Sequence, residues 1–89
     1  MMEINLLDVK NYLRVDFEDD DLLITSFINS AKNICRDILR VDDLPEKEEV
    51  KISIYYAVAY LYEHREEADH KALVLTLRSL LFGLRKAEF

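Results

Sequence analysis

The side chains able to do chemistry are few, and their spacing argues against it. Ser26, Ser30, Ser53 and Ser79 all fall inside segments that read as helix, without the local context that marks a nucleophile, and no Gly-rich loop is present to cradle a phosphate. His64 and His70 stand six positions apart, whereas a helical metal pair needs two ligands one turn apart on one face. No third histidine completes a set. The single cysteine, Cys35, cannot form an internal disulfide, and its place in an apolar helical stripe reads as a small buried hydrophobe. A calcium loop can be tested on Asp16, Glu18 and Asp20 as its first, third and fifth positions. It fails, because Asp21 stands where the sharp turn needs glycine and Phe27 where the bidentate ligand needs glutamate. The sequence therefore predicts no catalytic residue, no cofactor, no metal and no small-molecule substrate.

What remains is pattern. Leu6, Leu7, Val9, Tyr12 and Leu13 form a short amphipathic segment, followed by the acidic run Glu18-Asp19-Asp20-Asp21. Carboxylates there suit the cap and first turn of a helix, next to its unpaired N–H groups and positive dipole end. From that point Leu22, Leu23, Phe27, Ile28, Ala31, Ile34, Cys35, Ile38 and Leu39 recur at helical spacing as one apolar face. Val41-Asp42-Asp43-Leu44-Pro45 is a turn, and a helix is expected to begin at about Pro45, with Glu46, Glu48 and Glu49 in its first turn. Its series Val50, Ile54, Ala57, Val58 and Leu61 has the helical period. Residues 52–62 are rich in β-branched and aromatic types, so a buried strand competes, but the stretch from Pro45 to Arg65 is too long for one and holds no breaker. Asp69 is placed to cap a last helix carrying Leu73, Val74, Leu77, Leu80, Leu81 and Leu84, with Leu75 and Phe82 on its far side. The expectation is an all-α single domain, 1–89, of about four helices near 6–13, 20–39, 46–65 and 71–84.

Composition agrees and narrows the function classes. One Gly and one Pro in 89 residues, with 51% hydrophobic residues, is poor in turn formers and rich in apolar surface for so small a core. Part of that surface is expected to be covered by other subunits. The Pro45–Arg65 helix is apolar around most of its circumference, and its Tyr55, Tyr56, Tyr60 and Tyr62 fit either a core or an interface. No apolar run reaches the roughly 18 residues of a membrane span, and Met1-Met2-Glu3 lacks a basic leader, so synthesis in the cytoplasm without membrane contact is expected. Acyl-carrier proteins share this size and acidity but need an Asp-Ser-Leu arm site, which is missing here.

The net charge of -6 is unevenly distributed. Glu3, Asp8, Asp16, Glu18, Asp19, Asp20 and Asp21 outweigh Lys10 and Arg14 at the start, whereas Lys71, Arg78, Arg85 and Lys86 face only Glu88 at the end. Lys71, Arg78 and Arg85 repeat every seven residues and so lie near one stripe of a helix. That stripe is either a solvated face or a contact for an acidic neighbour.

Taken together, Leu7-Asp-Val-Lys-Asn-Tyr-Leu-Arg-Val-Asp16, the acidic run, Leu22-Leu-Ile-Thr-Ser-Phe-Ile-Asn-Ser-Ala-Lys32, Leu44-Pro45 before a Tyr-rich helix and the closing Leu80-Leu-Phe-Gly-Leu-Arg85 resemble the head-tail connector (adaptor) proteins of tailed bacteriophages and prophages. The resemblance covers nearly the whole chain and is strongest over residues 9–31. It is carried by packing residues and turns. It implies a helical bundle that forms a ring below the portal of the filled capsid, extends the DNA channel and receives tail-completion proteins, at the head-tail junction of the virion. An acidic protein suits a conduit that lets DNA pass without holding it. The sequence departs from the family where a Pro- or Gly-containing loop often precedes the last Leu-Leu and Arg, since residues 71–82 read as continuous helix. In such a ring the acidic N-terminal part of one copy is expected to meet the basic stripe of the next, with Tyr55, Tyr62, Lys71, Arg78, Phe82 and Arg85 as candidate interface residues. The competing expectation is a small helical adaptor or regulator that binds one protein partner.

Overall fold

A computed structural model describes residues 3–66 and 69–85. The described residues form four helices, α1 Leu6–Leu13, α2 Asp21–Leu39, α3 Glu48–Glu63 and α4 His70–Arg85, and no strand occurs among them. Residues 52–62 are helical throughout, so length outweighs β-propensity in that stretch. Residues 71–82 are one uninterrupted helix, as their sequence reads.

Helix ends differ most from expectation. Residues 45–47 are not helical: the Lys47 N–H donates to the Pro45 carbonyl at 2.9 Å, and α3 starts three residues after the proline. Pro45 closes the turn instead of opening the helix. Asp20 occupies the N-cap position of α2, but its carboxylate makes no capping bond. By contrast Asn5 caps α1, accepting from the Leu7 N–H at 2.7 Å, and Asp69 caps α4, accepting from the Ala72 N–H at 3.0 Å.

The tetrapeptide Leu-Arg-Val-Asp occurs twice, at residues 13–16 and 39–42, and each copy ends a helix in the same way. Arg14 and Arg40 take the left-handed conformation at φ 62° and 58°. The N–H of the following valine then donates back five residues, Val15 to Lys10 at 2.9 Å and Val41 to Arg36 at 3.1 Å. This bond closes a Schellman motif. Both valines pack against the core, which fixes the exit direction of the chain.

One hydrophobic cluster draws on all four helices. Its α2 line runs Ile24, Ile28, Ala31, Cys35 and Ile38, in steps of four and three residues, with Leu39 buried beside the last. That register corrects the expected face. Ile24 is sealed, while Leu22 and Leu23, two of the residues expected inside, are exposed. Helix α3 contributes Val50, Ile54, Ala57, Val58 and Leu61, and it packs against each of the other three helices, which accounts for its apolar breadth. Helix α4 buries Leu73, Leu77 and Leu81, whereas Leu80, expected on the same face, is 41% exposed.

Candidate functional site

Two side-chain ties from α3 set the direction of its neighbours. The Tyr62 hydroxyl donates to Asp20 Oδ2 at 2.7 Å, holding the start of α2 at the C-terminal end of α3. The Asp69 N–H donates to the Tyr60 hydroxyl at 3.0 Å, holding the start of α4 at that same end. Helices α2 and α4 therefore run parallel to each other and antiparallel to α3. Around Tyr62 the Arg65 guanidinium lies 4.7 Å from the ring centroid and also donates to the Tyr62 carbonyl. The bond to Asp20 is the main reason the Tyr62 hydroxyl titrates above its ordinary value of 10.0; burial and the Asp20 charge add to this and Arg65 opposes it.

A third tie was not anticipated from the sequence. Lys10, which reads as one more surface charge, is buried, and its ammonium meets Asp21 Oδ1 at 2.7 Å, locking α1 to the first turn of α2. The signal lay in position: Lys10 directly follows the core residue Val9, on the inner side of so short a helix. With Asp20 and Asp21 engaged inside the subunit, the acids left facing outward on the elbow between α1 and α2 are Asp16, Glu18 and Asp19.

The candidate interface residues separate into two groups. Tyr55 and Tyr62 are half-buried and packed against the core, Tyr55 with its ring centroid 5.1 Å from that of Tyr12 on α1 and 5.8 Å from the Lys51 ammonium. Lys71, Arg78 and Phe82 are exposed together on α4. Arg85 continues their stripe by position in the helix; its side chain lies outside the described residues. Leu75 joins them, so that Leu75, Arg78, Ser79 and Phe82 line a shallow open groove. The positions 71, 75, 78 and 82 alternate cation and apolar residue in steps of four and three, on the side of α4 away from Leu73, Leu77 and Leu81.

Two further apolar side chains are exposed at the acidic elbow, Leu22 at 87% and Phe17, five positions before it, at 47%. Counting back from the Ile24–Ile28–Ala31 line at 3.6 residues per turn puts Leu22 opposite the core, a signal present in the sequence. Elsewhere, His64 stacks on Tyr60 with centroids 4.3 Å apart, and its Nδ1 donates to the Tyr60 carbonyl at 3.0 Å. Cys35 is sealed, and burial pushes its thiol up to about 11. Among the described residues no three His, Cys, Asp or Glu side chains come together as a metal site, and no helix is long and apolar enough to cross a membrane.

Such a chain offers contact surface: a small helical bundle with apolar groups of opposite charge surroundings on two faces. The profile of the phage gp6-like head-tail connector proteins matches residues 3–86, and the chain belongs to that family. Its role is accordingly structural, at the junction of phage head and tail, in contact with other head and tail proteins. No curated protein and no solved structure matches it.

Proposed function

We propose that copies of this chain assemble as a ring below the portal of the DNA-filled capsid, extend the DNA channel and present the surface that tail-completion proteins engage. The chain is made in the host cytoplasm, and DNA passes through the ring without specific binding. The observation that carries this reading is family membership over residues 3–86, supported by apolar side chains left uncovered at more than one place on the monomer, among them Leu22 and Phe17 at the elbow and Leu75 and Phe82 on α4. In the ring, the acid-rich N-terminal part of one copy faces Lys71, Arg78 and Arg85 of the next, with Phe82 in the contact. Tyr55 and Tyr62 serve that contact by bracing α1 and the start of α2, which carry the acids.

Deleting the gene from a phage that encodes it tests the assignment. The expected result is filled heads and free tails that accumulate unjoined, and that join again when the purified chain is added. Joined particles in the absence of the chain would overturn it.

A further inference from the structure

We propose that the outer stripe of α4 on one copy is the seat for the acidic elbow of the next copy, with Leu22 and Phe17 entering the groove between Leu75 and Phe82. The inference rests on the ring reading and deepens it by naming the two surfaces. Phe82 is 61% exposed and Leu75 57%, and Lys71 and Arg78 alternate with them along the stripe. On the elbow, Leu22 and Phe17 stand among the exposed carboxylates of Asp16, Glu18 and Asp19. Each surface thus has an apolar centre and a charged surround, and the charges are opposite. Apolar contact supplies the affinity, while the opposed charges set the approach and reject the wrong orientation.

The two surfaces cannot cover each other within one subunit. Helices α2 and α4 run parallel with their core lines turned inward, so Leu22 and the Leu75–Phe82 groove both point out of the bundle. A contact between unlike patches is heterologous, so it propagates from copy to copy and closes into a ring when the rotation permits. The Tyr62–Asp20 bond and the Lys10–Asp21 pair both tie down the C-terminal end of the acidic run, presenting Leu22 from a fixed first turn. That rigidity lowers the ordering cost of docking.

The test uses two full-length chains of different tag size, one carrying Leu22→Cys and the other Phe82→Cys, mixed under mild oxidation. Cys35 is buried and offers no competing thiol. The mixed disulfide is expected to exceed both like-with-like dimers severalfold, and a chain carrying both substitutions is expected to give a ladder of higher oligomers. Statistical or like-with-like pairing, or no dimer at all, overturns the proposal. Independently, Arg78→Glu is expected to abolish rejoining of unjoined heads and tails, and Arg78→Glu combined with Asp19→Lys to restore it, with helical circular dichroism unchanged in both. A pair of charge variants that each fail without mutual rescue assigns the stripe to another protein and overturns the contact between copies. Failed cross-linking with unjoined particles in the deletion sinks this interface alone, whereas joined particles in the deletion sink the connector reading itself.

Discussion

Tyr62, a candidate interface residue by sequence, also makes a tie within the fold. Its ring is amphipathic and sits near the end of a helix, features shared by interface tyrosines, but its hydroxyl is bound to an aspartate 42 positions earlier. The bond favours the protonated phenol, so the folded hydroxyl titrates above 10.0 while the unfolded one titrates there. A group whose pKa is raised on folding contributes its full stability below the unfolded value and loses it as pH climbs through the folded value. Unfolding free energy of the wild type is therefore expected to fall above about pH 10. Tyr62→Phe is expected to flatten that decline and to cost about 0.5–1.5 kcal/mol at neutral pH. Urea titrations at neutral and alkaline pH check both; an equally steep alkaline loss in the variant would show that Tyr62 does not contribute to it.

At the level of the helices, sequence periodicity carried far. The line Val50–Ile54–Ala57–Val58–Leu61 and the line Leu73–Leu77–Leu81 were legible because burial follows the helical period. Leu22 and Leu23 misled for a physical reason: three consecutive apolar residues, Leu22, Leu23 and Ile24, leave the phase of the stripe open at its start, and it is resolved only by counting back from Ile28 and Ala31, which selects Ile24. The long-range ties were barely legible: no local rule links Asp20 to Tyr62, and the one hint for Lys10 is its place directly after Val9 on a short helix. Helix ends were half legible. Pro45 and the aspartates announced a turn, but the two left-handed arginines did not announce themselves, because glycine is the usual residue at such a position. At Arg40 the Cβ clash of the left-handed conformation is a cost that glycine avoids. Arg40→Gly is accordingly expected to raise the unfolding free energy by roughly 0.5–1 kcal/mol, the backbone relief exceeding the entropy glycine adds to the unfolded chain. A stability loss in urea unfolding would instead mean that the Arg40 side chain holds the helix end.

For the whole molecule, the balance of inside and outside separates folding from assembly. A chain of 89 residues has limited core, and folded proteins have a net stability of about 5–15 kcal/mol, so each sealed side chain matters to whether it folds. Ile54 is fully enclosed at the centre of α3, and Ile54→Ala removes buried methyl groups and leaves a cavity, for an expected loss of about 2–5 kcal/mol. Leu22 is the opposite case: with 87% of its surface in water, it contributes little to the monomer. Leu22→Gln is expected to change unfolding free energy by no more than about 0.5 kcal/mol. Its effect belongs to the assembled state, where the proposed contact places it in the groove of the next copy. Urea unfolding and rejoining of heads to tails, measured on the same two variants, should therefore dissociate. Ile54→Ala loses stability, and joins particles in proportion to the folded fraction. Leu22→Gln keeps its stability and loses joining. A Leu22→Gln chain that unfolds early would place that side chain in the core, and one that is stable and still joins particles would remove Leu22 from the contact between copies.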